Sequence, residues 1–222
     1  VRHPSELEWS EQRRQLDPTL QDLTQWAVAG KLNRPVRSLP PLRIVQRLDK
    51  ETSGLVVFAR TPLAERELGA QFRKHTVTRR YLTVVPGHFA PRTIRSHLVR
   101  DRGDGRRGST KLPDVGKLAV THVFVEERLP GYTLLSCRLE TGKTHQIRIH
   151  LSEAGHPVCG DKVYCRKPTG ETVPDASGAP RLMLHATELG FDRPATGAKL
   201  HWEMPPPPDF RKTLDRLRGE KG

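Results

Sequence analysis

The sequence predicts an α+β fold: a mixed, largely antiparallel sheet flanked by helices and loops. Three observations lead there. Short runs of β-branched and aromatic residues outnumber the amphipathic helical stretches. Two of those runs, Gly116–Glu126 and Tyr132–Leu139, are joined by Leu129-Pro130-Gly131 and read as a hairpin. The helical stretches fall irregularly among the strands, unlike the strict alternation of a doubly wound sheet. With 222 residues, the whole chain, 1–222, is expected to form one domain.

Along the chain, the spacing predicts a helix over 17–30, with Asp17 as its cap, Pro18 in the first turn, Leu20, Leu23 and Ala27 on the buried face, and Gly30 as its stop. Leu42–Leu48 then leads to a tight turn, Asp49-Lys50-Glu51-Thr52-Ser53-Gly54, and to an apolar run of strand length, 54–60. Thr61-Pro62 opens a second helix with Ala64, Leu68 and Phe72 on one face. Arg80–Val85 is a strand ending at Pro86-Gly87. The stretch 100–117, rich in Gly, Arg and Asp, is expected to be a mobile basic loop. A helix is expected from about Thr144 to Ala154, burying Ile147, Leu151 and Ala154 and ending at Gly155. After a polar loop over 166–180 come strands near Arg181–Phe191 and Ala198–Met204. A last helix sets Phe210, Leu214 and Leu217 in register.

Charge narrows the class of partner. The formal net charge is +13, with 27 Arg against 11 Lys. Such an excess suits a polyanion, because each neutralised phosphate releases condensed counterions. No stretch approaches the length a membrane helix needs, and the first residues lack the apolar segment of a signal peptide. Cys137, Cys159 and Cys165 form neither a CxxC pair nor a disulfide framework. The expectation is a reducing, cytoplasmic compartment with no membrane association. Neither a P-loop nor a GxGxxG loop is present, so a nucleotide cofactor has no support.

Three segments carry chemistry: Arg47-Leu48-Asp49-Lys50-Glu51-Thr52-Ser53-Gly54-Leu55, then Arg80-Tyr81-Leu82, then Gly142-Lys143-Thr144-His145-Gln146-Ile147-Arg148-Ile149-His150. Two more follow, Gly155-His156-Pro157-Val158-Cys159-Gly160-Asp161-Lys162-Val163-Tyr164 and Arg181-Leu182-Met183-Leu184-His185-Ala186. In order and spacing they resemble the RluA-type RNA pseudouridine synthases, from about residue 16 to residue 210.

That resemblance implies the pseudouridine synthase catalytic fold, RNA (ribosomal or transfer) as substrate, and no metal or other cofactor. It implies Asp49 as the catalytic carboxylate, acting as nucleophile or base on a flipped-out uridine. Arg148 is implied as its ion partner, because a guanidinium orients and charge-matches a carboxylate. Tyr81 is implied to stack under the uracil and to help move its C5 proton, Leu184 to close the other side of the base pocket, and Arg47 to fill the vacated stack. Asp49 and Arg148 are therefore expected within hydrogen-bond reach of each other. The cleft beside them should be lined with Arg and Lys.

The chain departs from the family pattern in places. Gln46 stands where His is usual, and Lys143 where Arg is frequent. The upstream KPxG strand has no counterpart, so the sheet is expected to lack its first strand, and no S4-type RNA-binding domain is seen. Two rival readings are an RNA-binding protein without activity and a metal-dependent hydrolase using His145, His150 and His156. The oligomeric state is left open.

Overall fold

Seven strands follow one another edge to edge across the main sheet of this computed structural model, which describes residues 18–103, 105–112, 115–165 and 171–219. The elements, in chain order, are α1 (Leu20–Lys31), β1 (Arg43–Ile44), β2 (Ser53–Gly54), β3 (Phe58–Ala59), α2 (Pro62–Arg73), β4 (Thr78–Pro86), β5 (Arg92–Val99), β6 (Gly108–Thr110), β7 (Lys117–Leu129), β8 (Tyr132–Leu139), α3 (Gln146–Glu153), β9 (Leu184–Asp192), β10 (Lys199–Glu203) and α4 (Pro208–Arg218). The order across the sheet is β10-β9-β4-β8-β7-β5-β6, every neighbouring pair antiparallel. Among the described residues the single parallel contact is β2 on β9, which makes the sheet mixed and eight-stranded. The α+β reading is thereby met.

The core lies where β4 and β8 meet α3 and α4. Val84, Val85 and Leu135 are fully buried there with Leu151 of α3 and Phe210 of α4. Of the expected last-helix stripe, Phe210 and Leu214 are buried and Leu217 packs against them. In α2, Thr61 caps the backbone N–H of Ala64 and Leu68 is buried, as the spacing predicts. No described helix is long and apolar enough to cross a membrane.

Several expectations need correction. The first helix starts at Leu20, not 17, because Thr19 and Asp22 form a reciprocal capping box; Asp17 lies outside the described residues. Gly30 does not stop it, since the helix continues to Lys31. Leu20, Leu23 and Ala27 face solvent. The helix docks instead through Gln25, which bonds the backbone of Pro40 and Leu42, and Gln21, which bonds Leu42. Paired polar groups here outcompete the apolar stripe.

The apolar run 54–60 is no continuous strand. It makes two short contacts, β2 on β9 and β3 on β1, and of the segment 42–48 before the turn only the two residues of β1 pair. The stretch 100–117 contains β6, paired to β5; Asp104 and residues 113–114 lie outside the described residues. β5 itself has no counterpart in the sequence reading, because Arg92, Thr93, Arg95, Ser96 and His97 interrupt its apolar positions. The 166–180 loop is described only from 171, where Ser177 is buried. The expected lack of a first strand concerns the region at and before residues 1–17, outside the described residues.

A bulge decides the face of the site. Between β4 and β9 the register steps from Arg80↔Glu188 to Tyr81↔Ala186, leaving Thr187 unmatched. Because strand side chains alternate faces, this step sets Leu184 and Ala186 on the face that Tyr81 occupies.

Candidate active site

The Asp49 loop is fastened at its far end. Gly54 adopts φ 109° and lies so close to β9 that a Cβ there would sit 2.2 Å from the carbonyl oxygen of Ala186. Leu55 N–H donates to that same carbonyl at 2.9 Å. Arg181 holds the middle of the loop, donating from Nη1 to Glu51 O at 3.1 Å and from Nη2 to Ser53 Oγ at 3.2 Å, while Asp209 accepts its Nε at 2.6 Å. Asp49 is thus presented on a short loop pinned to the sheet.

The segment 142–148 is organised by one amide. Gln146 accepts from Thr141 Oγ1 and from Lys143 N–H, and donates to Val120 O and Thr121 Oγ1, all within 2.8–3.0 Å. His145 takes the left-handed conformation, φ 59°, which starts α3 at Gln146, two residues later than Thr144. From α3 the buried Arg148 reaches two carboxylates. Its Nη1 donates to Asp49 Oδ2 at 3.2 Å. Its Nε and Nη2 donate to Asp161 at 2.7 and 2.9 Å.

Asp161, with a fully buried side chain, also accepts the backbone N–H groups of Val163 and Tyr164. Burial alone would raise its pKa, but the Arg148 fork and these N–H groups hold it below the usual carboxylate range. Burial would likewise lower the pKa of Arg148; Asp161 and Asp49 together raise it above the ordinary value. The Tyr164 ring lies under the guanidinium, 5.0 Å from Cζ to centroid. Its hydroxyl meets His145 Nδ1 at 2.8 Å, and His145 Nε2 stands 3.8 Å from Asp49 Oδ1.

Beside Asp49 opens a cleft of about 730 Å³. The structure brings all five candidates to it: Asp49, Tyr81, Arg148 and Leu184 inside, and Arg47 exposed at the rim. Burial raises the pKa of the Tyr81 phenol; Arg79 opposes the rise and Asp49 adds to it. Six Arg and Lys side chains line the cleft against one carboxylate, that of Asp49. Gln46, in place of the usual His, donates to Leu55 O at 3.4 Å.

The three histidines considered as metal ligands are engaged separately. His145 meets Tyr164, His150 meets Thr121 and Ser96, and His156 meets Pro86 O. Sequence reasoning quoted Asp161 and Tyr164 inside a motif and gave them no role. The burial of an acid at that position has no local signal. It follows only from Arg148, thirteen positions away.

Comparison with known proteins places the chain in a family. A profile of the RNA pseudouridylate synthase family matches residues 26–153. Ribosomal large subunit pseudouridine synthase D of Neisseria meningitidis is 43% identical over 190 residues, covering 83% of this chain and 50% of that protein. The uncharacterized RNA pseudouridine synthase YlyB of Bacillus subtilis is 42% identical, with 79% and 55% covered. The synthase D of Pseudomonas aeruginosa is 40% identical, with 84% and 60% covered. The chain therefore spans about half to three-fifths of the length of these relatives. Among solved structures, human RNA pseudouridylate synthase domain containing 4 shares the fold, with TM-score 0.71 at 24% identity over 86% of this chain and 81% of that one. Human RNA pseudouridylate synthase domain containing 1 aligns with TM-score 0.64 at 27% identity, over 78% and 73%. On the family profile and these identities together, the chain belongs to the RNA pseudouridylate synthase family.

Proposed function

We propose that this chain isomerises uridine to pseudouridine in structured RNA, with Asp49 acting on a nucleotide turned out of its stack. One observation carries the reading: Asp49 and Arg148, 99 positions apart, meet at 3.2 Å in a cationic cleft that also holds Tyr81. An RNA-binding surface has no need of a lone acid held among six cations; a glycosidic rearrangement does.

The reaction breaks the C1′–N1 bond, turns the uracil, and joins C1′ to C5, so N1 gains a proton and C5 loses one. It is redox-neutral and calls for no metal or nucleotide cofactor. Asp49 serves as nucleophile or base. Arg148, gripped from behind by Asp161, aims that carboxylate. Tyr81 supports the base on one side and Leu184 on the other, and the phenol of Tyr81 assists the C5 proton. Arg47 at the rim takes the space the uridine leaves. Relatives named for the large ribosomal subunit favour ribosomal over transfer RNA as substrate. Three unbridged cysteines fit a reducing, cytoplasmic compartment.

The test is pseudouridine mapping of ribosomal and transfer RNA from cells with and without the gene, repeated in vitro with the purified chain. A uridine modified only when the gene is present supports the reading. An unchanged map, together with an inactive purified protein, overturns it.

A further inference from the structure

Of the two buried cations that line the cleft, Arg79 and Arg148, Arg79 is the one without a counter-charge among the described residues. It is 8% exposed, and its Nε has no hydrogen-bond partner. Nη2 makes only two long contacts, to the carbonyl oxygens of Leu139 at 3.4 Å and Glu140 at 3.3 Å. Among the described residues no carboxylate forms an ion pair with it, whereas Arg148, which lines the same cleft, holds two. A buried guanidinium without a counter-charge is destabilising, since neither carbonyl dipoles nor water replaces an anion there. Burial accordingly lowers its pKa.

The surroundings are shaped to keep this side chain in place. The Phe72 ring stacks on it, 5.5 Å from Cζ to centroid. Gly142 leaves it room: a Cβ at that position would lie 2.6 Å from Nη1. Arg79 and Tyr81 are two residues apart on β4, hence on one face and roughly 7 Å apart along the strand. Both line the cleft, together with Arg73 and Lys143.

We propose that Arg79 is a binding site for a backbone phosphate of the RNA, on the target uridine or the nucleotide next to it. The inference rests on the function proposed above, which supplies the polyanion. A phosphodiester brings the missing negative charge and accepts from a planar guanidinium through two oxygens. A uracil carbonyl brings no charge, and the base is already placed between Tyr81 and Leu184. Arg79 then does more than attract RNA, because a phosphate seated there sets where the attached sugar lies relative to Asp49.

The experiment is a double-mutant cycle between protein and RNA. A hairpin containing the uridine found by pseudouridine mapping is made with single neutral methylphosphonates at each phosphate around that uridine. Binding is measured by fluorescence anisotropy with the wild-type protein and with Arg79→Gln. The expected result is one phosphate, at or beside the uridine, whose neutralisation weakens wild-type binding about tenfold and weakens Arg79→Gln less than about twofold. The variant should also show a salt slope shallower by about one. Should circular dichroism show Arg79→Gln unfolded, Arg79→Lys takes its place; it keeps a charge and loses the fork, so the effect at that same phosphate should shrink severalfold. A variant as sensitive as wild type at every phosphate overturns the assignment. So does sensitivity to altered uracil carbonyls in place of phosphates. Neither result touches the function itself, which is read separately as pseudouridine formed by the wild-type protein on the unmodified hairpin.

Discussion

Asp161 takes two hydrogen bonds from Arg148, at 2.7 and 2.9 Å, and so leaves only Nη1 of that guanidinium to face Asp49. The arrangement is directional. Nε and Nη2 are occupied by a carboxylate with a fully buried side chain, so rotation of the guanidinium would break two short bonds before Asp49 could be released. Asp161→Ala would leave Arg148 buried beside a gap, and breaking such a pair destabilises by about 3–5 kcal/mol. Thermal melts should show that loss. In single-turnover assays on folded protein, conversion should drop by about two orders of magnitude, the scale of a misplaced catalytic group.

Asp49→Asn keeps the shape of the side chain and removes its charge and nucleophilicity. Pseudouridine formation should vanish, while affinity for RNA stays within a few-fold of wild type. Turnover by a clean preparation of this variant would take Asp49 out of the mechanism.

Tyr81 separates into a ring and a hydroxyl. Tyr81→Phe should bind RNA normally and convert it slowly. Tyr81→Ala should lose affinity as well, by about 1–3 kcal/mol, the contribution of one stacked base. Equal conversion by Tyr81→Phe and wild type would confine this residue to stacking.

If the +13 charge is used on phosphate, log affinity should fall linearly and steeply as log salt rises. Titration between 50 and about 200 mM salt reads the slope. A flat response would leave the arginines with no role on the RNA backbone.

His150 offers a pH prediction. It is 1% exposed between Thr121 and Ser96, and burial lowers its pKa from 6.5 to about 4. The folded protein therefore keeps it neutral where the unfolded chain would protonate it. Its contribution to stability is full above pH 6.5 and is lost progressively as pH falls toward 4. The total is on the order of 3 kcal/mol. In His150→Gln, urea-denaturation stability should fall less steeply than in wild type across that interval.

The motifs that signal chemistry were legible because they are contiguous. Asp49, Tyr81 and Arg148 could be named from their segments, and their convergence on one cleft is a matter of strand order that β4, β8 and β9 supply. Helices with a single apolar stripe against the core, α2 and α4, were legible for the same reason. Features set by distant partners were not. α1 docks through glutamines bonding the 40–42 segment, and a stripe of Leu20 and Leu23 says nothing about that. β5 carries arginine, serine and histidine where an apolar alternation would have announced it. Asp161 and Arg79 owe their character to burial beside residues far along the chain, which no local pattern records.

The unmatched residue at Thr187 behaves as a phase step in β9. On one side of it the strand pairs Glu188 with Arg80 and runs outward to β10; on the other it sends Leu184 and Ala186 into the Tyr81 face, with His185 turned away to Ser53 and Met204. In a regular register, with Thr187 paired to Tyr81, His185 would stand opposite Thr83 and turn an imidazole to the cleft in place of the isobutyl group of Leu184. Pocket polarity in this fold is thus governed by a count of residues as well as by their kinds. One extra residue, far from Asp49 along the chain, thus sets the wall that a base meets while leaving every catalytic side chain untouched.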